Sequence, residues 1–412
     1  MSAIEDYSFF DPRVQKEPFE LYRLLRAERP VWFSDELGCF VVSKHKLIKE
    51  VLEDTGTFSS IDANSGMIIN DSVADKVKAL RARGCPQVPY LATNDPPTHG
   101  PYRKLTAELF SRDRINGMQP DVERIVAMLL APMLERGGGE FMSEFAEPLP
   151  LAVIANLLGV PLELVPEYKK WTNAYVEPLG RMLSPEREIE CAELTLEYQR
   201  YFIAEIEKRR TDPRDDLLTQ LINAEVPGED RTMDIPELLA AVQQFLVAGG
   251  ETTTYTIGNG LLLMIQNPAL MEQLRADDKR IRNFIEEVLR TRSPSQGLYR
   301  IVKRDTEIGG VPIPKGSVVN VRIGAGNRDE AVFDHGERFD PDRKNLSKHL
   351  SFGVGLHFCM GAQLSRNEIF ASYRHLLDET KAIRLDKGKG GYDYFQSTFF
   401  MGFSHFHVLF DR

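Results

Sequence analysis

From residue 97 to about 290 the chain carries apolar residues at helical spacing almost without a break, in segments at 98–110, 117–136, 143–158, 163–175, 186–210, 214–224, 234–265 and 268–291. Helices with apolar stripes must bury them against one another, so this run alone commits the chain to a helix-dominated core. Two-residue alternation is confined to regions nearer the ends: VWFSDELGCFVV (31–42), LYRIVKRDTEIGGVPIPKGSVVNVRI (298–323) and the last 30 residues. The expected fold class is α+β, predominantly α-helical. Its helix-rich parts lie at about 97–291 and 359–378, and its β-rich parts at about 30–43, 294–323 and 380–412. Strands clustered in this way, rather than alternating with helices, argue against a dinucleotide-binding fold. Further helices are expected at 17–29 and 44–53, and an irregular stretch at 326–358. Residues 54–97 lack a clear period and read as a loop region able to line a binding site.

No repeat or flexible linker divides the sequence, so residues 1–412 are expected to form one domain, large enough to enclose a cavity. With 51 Lys and Arg against 61 Asp and Glu, the net charge is −10, which speaks against a nucleic-acid partner. Four cysteines, Cys39, Cys85, Cys191 and Cys359, show no zinc spacing and suit a reducing compartment. The first residues are polar and acidic, and no apolar run of about 20 residues occurs. The expectation is a soluble, cytoplasmic protein with no membrane contact.

The most informative segment is Phe352-Gly353-Val354-Gly355-Leu356-His357-Phe358-Cys359-Met360-Gly361. Two closely spaced glycines permit a tight turn. Cys359 follows where a helical pattern begins, so its sulfur would face backbone amides that lower a thiol pKa. A lone thiolate offered by a Gly-rich turn with an apolar shell suits a cysteinate ligand to haem. A second unusual segment lies in the long pattern 234–265. Asp234 and Glu237 form a capping-box pattern at its start, and Ala248-Gly249-Gly250-Glu251-Thr252-Thr253 interrupts its middle. Paired glycines cost about 2 kcal/mol in a helix interior relative to alanine, and threonine hydroxyls bond back to carbonyls. A weak point or kink is expected there, of the kind that marks a functional site.

Together these segments resemble the cytochrome P450 family of monooxygenases. The first matches FGxGxHxCxG at all six fixed positions; the second matches AGx(D/E)T(T/S) some 110 residues earlier. The resemblance spans roughly residues 10–412 and implies the P450 fold, with a long helix crossing haem b. Cys359 would be the proximal iron ligand, Phe352 would shield it, and Gly353 belongs to the same turn. Gly361 would let the backbone pass close to the porphyrin. His357, with Arg300, His99 and Arg103, would hold the haem propionates. Gly249 would leave room for oxygen, Thr252 would hydrogen-bond the activated oxygen, and Glu251 would relay protons from solvent. Glu287 and Arg290 match the family's ExxR pair, whose third member would be Arg338 or Arg343. Asn327-Arg328-Asp329 is family-typical and would be scaffold. Gly336 departs from the family pattern, where relatives often carry proline.

By the same analogy the pocket would be lined by the 58–98 region, the 163–190 helices, Gln244, Val247, Ala248, residues 294–299 including Ser295, Gln296 and Leu298, and a 396–403 turn bearing Phe399 and Phe400. That mixture suits a small or medium apolar substrate with one polar group. The chain carries no flavin, nicotinamide or ferredoxin module, so electrons would come from an iron–sulfur ferredoxin and its reductase. Arg112, Lys344, Lys348 and Arg366 would form its basic docking patch. The expected activity is hydroxylation or oxidative demethylation using O2. The competing readings are a haem-thiolate peroxygenase or isomerase, and a non-enzymatic haem carrier or sensor. The Glu251–Thr252 pair favours the first.

Overall fold

The computed structural model describes residues 3–61, 63, 70–180 and 182–412. Its centre is the helix Ile235–Gln266, which we call the central helix. Its start follows from local chemistry. Asp234 accepts from the amide of Glu237 at 3.0 Å, while the Glu237 carboxylate accepts from the amide of Asp234 at 2.8 Å. The two side chains thus satisfy two donors that a helix start leaves open. The helix runs unbroken through 248–254. The conflict expected there takes the form of back-bonding: Thr252 Oγ1 donates to the Ala248 carbonyl at 3.1 Å, and Thr256 Oγ1 to that of Thr252 at 2.8 Å.

Four of the helices that pack on the central one frame the site. They are the cover helix Val165–Val176, the inner helix Pro148–Leu158, the ExxR helix Asp278–Thr291 and the terminal helix Ala362–Glu379. The glycine pair makes the close approach of the inner helix possible. A Cβ on Gly249 would meet Ile154 at 3.2 Å, and one on Gly250 would meet Leu151 at 3.1 Å. Gly249 thus faces a neighbouring helix as well as the cavity.

Among the described residues, three sheets lie beside this helical body. The largest has the strand order Val31–Ser34, Cys39–Val42, Val318–Val321, Leu298–Val302, Phe58–Ser59. Cys39–Val42 and Val318–Val321 run parallel, with Val41 opposite Asn320; the other pairs are antiparallel. In a second sheet Phe403–Asp411 pairs with Tyr392–Tyr394, Gly138–Glu140 and Ala382–Leu385. Thr306–Ile308 and Val311–Ile313 form a two-stranded ribbon.

The expected segments are met with four corrections. The 268–291 pattern is two helices, Pro268–Ala276 and Asp278–Thr291, separated by Asp277, which caps the second by accepting from the Lys279 amide. The 54–97 region holds the strand Phe58–Ser59 and the helix Ala74–Arg81. The strand Gly138–Glu140 falls inside the helical stretch: its glycines fit where a Cβ on Gly138 would come 2.2 Å from the Val408 carbonyl oxygen. The helix after the cysteine begins at Ala362, three residues later than the pattern suggests. Among the described residues no helix is long and apolar enough to cross a membrane.

Candidate active site

A cavity of about 270 Å³ lies between the central helix and the segment 351–361. The cysteine loop is built by its glycines. Gly353 and Gly355 sit at φ +68° and +67°, the left-handed region that other residues rarely enter. They fold the chain so that the Cys359 amide donates to the Phe352 carbonyl at 2.9 Å. Cys359 borders the cavity, as do Phe352, Gly353, His357 and Gly361. Phe352 is sandwiched from behind by the Arg366 guanidinium, 4.4 Å from its ring centre.

The thiol pKa departs from the sequence expectation. Burial pushes Cys359 above its ordinary value; the amides of Gly361 and Ala362 and the cations Arg103 and Arg366 pull the other way without overcoming it. A thiol in this setting ionises against a cation on its cavity side, as coordinating thiols do.

A group of donors at one margin of the site is short of acceptors. His99 is fully buried, and neither ring nitrogen has a partner. Its ring lies 4.7 Å from that of His357, edge to face. Burial, with Arg300 and His99 nearby, holds His357 down at about 4; its Nε2 lies 3.3 Å from Ser60 Oγ. Arg300 is 3% exposed, bonds only the Tyr299 carbonyl among the described residues, and is held down to about 10 by burial. The nearby carboxylate of Asp95 is engaged by Ser59 Oγ and the Ser60 amide. Arg103 borders the cavity and is likewise lowered by burial. Buried cationic and imidazole groups without acceptors are costly. A dicarboxylate ligand inserted here would satisfy them, and the two propionates of a haem whose face meets Cys359 fit that requirement.

On the opposite wall the central helix presents Ala248, Gly249, Thr252, Thr253 and Thr256. Thr253 Oγ1 donates to Ser365 Oγ at 2.9 Å across to the terminal helix. Glu251 does not border the cavity. It is 1% exposed and its carboxylate accepts from Lys169 Nζ at 2.9 and 3.1 Å, and from Tyr255 Oη at 2.5 Å. Solvent contact therefore passes through Lys169, whose side chain is 19% exposed. Sequence reasoning overlooked Lys169 and Tyr255. Tyr255 stands at i+4 from Glu251, a spacing that places the two together.

Glu287 and Arg290 form a buried bidentate pair. The alternative left open by the sequence resolves into both residues in different capacities. Arg343 brings its guanidinium to Glu287 at 3.3 Å, whereas Arg338 offers its carbonyl to Arg290 at 2.8 Å. Gly336 also fits: its carbonyl accepts from Arg290 at 2.7 Å, and a Cβ there would come 2.2 Å from the Arg328 carbonyl oxygen. Asn327, Arg328 and Asp329 are buried and tied into the scaffold.

Of the expected pocket residues, Gln244, Ala248, Ser295 and Leu298 border the cavity. Four do not. Val247 faces an adjoining chamber with Gln243 and Tyr175. Gln296 is buried in the scaffold, accepting from Tyr22 Oη at 2.8 Å and donating to the Ser293 carbonyl. Phe399 stacks on Tyr299, and Phe400 packs on Tyr255. Residues 62, 64–69 and 181, within the expected pocket regions, lie outside the described residues. Arg366 is not free for a partner, since its guanidinium clasps Glu286 at 2.6 and 2.8 Å; Arg112, Lys344 and Lys348 are exposed. One cavity residue had no signal in the sequence. Glu368, on the terminal helix, is 2% exposed, its Oε2 has no partner, and burial raises it well above the usual carboxylate range.

A cysteine loop beneath a threonine-lined helix, with a carboxylate grip at one margin, defines a haem-thiolate protein. Comparison with known proteins is specific. The sequence profile described as cytochrome P450 matches residues 186–382. Cytochrome P450 107B1 of Saccharopolyspora erythraea is 33% identical over 386 residues, covering 93% of this chain and 92% of its own length. The 6-deoxyerythronolide B hydroxylase of the same organism is 35% identical over 321 residues, covering 78% of each chain. The solved structure of cytochrome P450 CREJ in complex with (4-ethylphenyl) dihydrogen phosphate superposes with a TM-score of 0.91 at 28% identity, covering 99% of this chain and all of that one. The chain belongs to the cytochrome P450 family, of the bacterial type, and is an oxygen-incorporating oxidoreductase that takes haem as cofactor.

Proposed function

We propose that this enzyme inserts one atom of O2 into a C–H bond of a small or medium, largely apolar substrate, by hydroxylation or oxidative demethylation. The observation that carries this reading is the placement of Cys359 and Thr252 on facing walls of one cavity, with the unpartnered His99 ring and the buried Arg300, which donates only to a backbone carbonyl among the described residues, at its margin. Iron protoporphyrin IX, held by Cys359 and by Arg103, Arg300, His99 and His357, would supply the electron-transfer and oxygen-splitting chemistry. The remaining tasks fall to the chain. Gln244, Ala248, Ser295, Leu298, Phe245 and Leu91 enclose the substrate in a mainly apolar space that excludes bulk water. Thr252 presents a hydroxyl at the reacting end; its bond to the Ala248 carbonyl leaves both oxygen lone pairs free to accept. Glu251 carries protons, taking them from the Lys169 side and passing them toward Thr252 after its carboxylate turns. Overall, two electrons and two protons are consumed for each O2, giving hydroxylated product and one water.

An iron–sulfur ferredoxin with its own reductase is the proposed electron source, and the cytoplasm the proposed compartment. Exposed Arg112, Lys344 and Lys348 support the ferredoxin. Charge reversal at Arg112 or Lys344 should slow reduction strongly at low salt and less at high salt. Of the relatives, one is named erythromycin C-12 hydroxylase and another steroid C26-monooxygenase.

The primary test is an absorption spectrum of the dithionite-reduced protein with carbon monoxide, then titration of the ferric form with apolar compounds. A strongly red-shifted Soret band and a low-to-high spin shift are expected. A histidine-type band would overturn the assignment of Cys359.

A further inference from the structure

The orientation of Glu251 raises a problem for a proton carrier. Its neighbours Ala248, Gly249, Thr252 and Thr253 border the cavity and it does not. Three donors hold its carboxylate on the flank of the central helix instead. Lys169 Nζ lies 2.9 and 3.1 Å away, Thr172 Oγ1 3.4 Å, and Tyr255 Oη 2.5 Å.

The three differ in what carries them. Lys169 and Thr172 belong to the cover helix, so a displacement of that helix removes both at once. Tyr255 stands one turn along the same helix as Glu251 and travels with it. Its ring is also fixed from the far side. Phe395 and Phe400 pack on it with ring centres 5.1 and 5.5 Å away, and a Cβ on Gly402 would come 2.3 Å from a ring carbon. That segment is itself anchored: the Phe395 amide donates to the Gly402 carbonyl at 3.1 Å, and Asn259 Nδ2 to the Met401 carbonyl at 3.0 Å. Burial and the adjacent carboxylate keep the phenol protonated, so it acts as a donor.

We propose that Tyr255 is a positioning residue for Glu251: it retains the carboxylate in the withdrawn orientation independently of the cover helix, and so sets how readily Glu251 takes up and delivers a proton. The proposal rests on the reading of Glu251 as the proton carrier. A carboxylate stripped of one donor is easier to protonate and freer to turn. The other charged groups around it come from three elements: Lys169 on the cover helix, Glu177 just after it, and Glu147 at the start of the inner helix. None is altered by removing the phenol hydroxyl.

The test is Tyr255→Phe in the haem-loaded enzyme. The acid limb of the pH profile for product formed per electron pair should move upward by about one pH unit, the scale of one hydrogen bond to a charged group. Haem content and the carbon monoxide spectrum should stay unchanged. In a Glu251→Gln background the same substitution should move nothing. The thermal midpoints of the two single variants and the double variant should likewise be non-additive. Gly402→Ala, which displaces the Tyr255 ring, should reproduce part of the shift. An equal shift in the Glu251→Gln background, or an unmoved profile with additive midpoints, would overturn the proposal. Unchanged coupling in Glu251→Gln alone would overturn the carrier reading instead, and the midpoints would then still decide whether Tyr255 holds Glu251.

Discussion

Arg290 meets Glu287 through two hydrogen bonds of 2.7 and 2.8 Å, with both side chains wholly removed from solvent. The remaining Arg290 donors take carbonyls of Asn327, Gly336 and Arg338, and Asp340 gives its amide to Glu287. The pair thereby pins the 327–343 segment, which leads into the cysteine loop. Removing one member strands a buried charge, at a cost of about 3–5 kcal/mol. Arg290→Leu should therefore yield protein with little haem and a sharply lowered unfolding midpoint. Adding Glu287→Leu to it should recover part of the loss, since the buried carboxylate is then gone and Arg343, its other partner, keeps its bonds to the Asp334, His335 and Arg338 carbonyls. A double variant worse than the sum of the two singles would contradict this account.

His99 should have opposite effects on the two forms of the protein. Its unpartnered ring nitrogens cost the haem-free fold about 1–3 kcal/mol. His99→Leu should raise the unfolding midpoint of the haem-free protein and speed haem release from the loaded one, measured by transfer to a haem scavenger. If both forms lose stability, His99 is a packing residue.

Thr252→Ala removes the only side-chain hydroxyl that the 251–252 pair turns into the cavity. Electron consumption should continue while product falls severalfold and hydrogen peroxide appears in its place. Thr252→Ser, which keeps the hydroxyl, should restore most of the coupling. Equal coupling in the Ala variant would show that protons reach the site without this group.

Glu368 offers a test by pH. Its carboxyl is raised well above its ordinary value by burial, so the fold favours the protonated form. The stability it contributes is complete below the unfolded-state value of about 4.3 and declines as pH rises toward the folded one. The decline is about 1.4 kcal/mol for each pH unit across that window. Glu368→Met should raise the unfolding midpoint at pH 7 and lose that advantage near pH 4. A variant less stable at pH 7 would mean the carboxyl has a partner in the loaded protein.

Much of this site was legible because it depends on local chemistry. The capping box at Asp234 and Glu237, the turn demanded by Gly353 and Gly355, and the pairing of Glu287 with Arg290 each follow from residues within one or two turns. What escaped depends on neighbours remote in sequence. Gln296, Phe399 and Phe400 have the composition of pocket residues; Tyr22, Tyr299 and Tyr255 draw them into the scaffold. The withdrawal of Glu251 was not legible from helix geometry, since Thr252 and Thr253, one step of about 100° apart, both border the cavity. The Glu251 ion pair with Lys169 needed the cover helix in place. The break at Asp277 and the strand at Gly138 were hidden by polar and glycine residues that carry no period.

The sheet joins Cys39–Val42 to Val318–Val321 and Leu298–Val302. The strand bearing Arg300 therefore finds its place only through partners from near the beginning of the chain and from beyond residue 317. His357 and Cys359 come later still. A ribosome must deliver the chain as far as Cys359 before the haem-binding surface is complete. Long-range pairing of this sort is slow to form. Haem capture is thus a late event in the life of each molecule, and the growing chain must stay unaggregated until then without help from its cofactor.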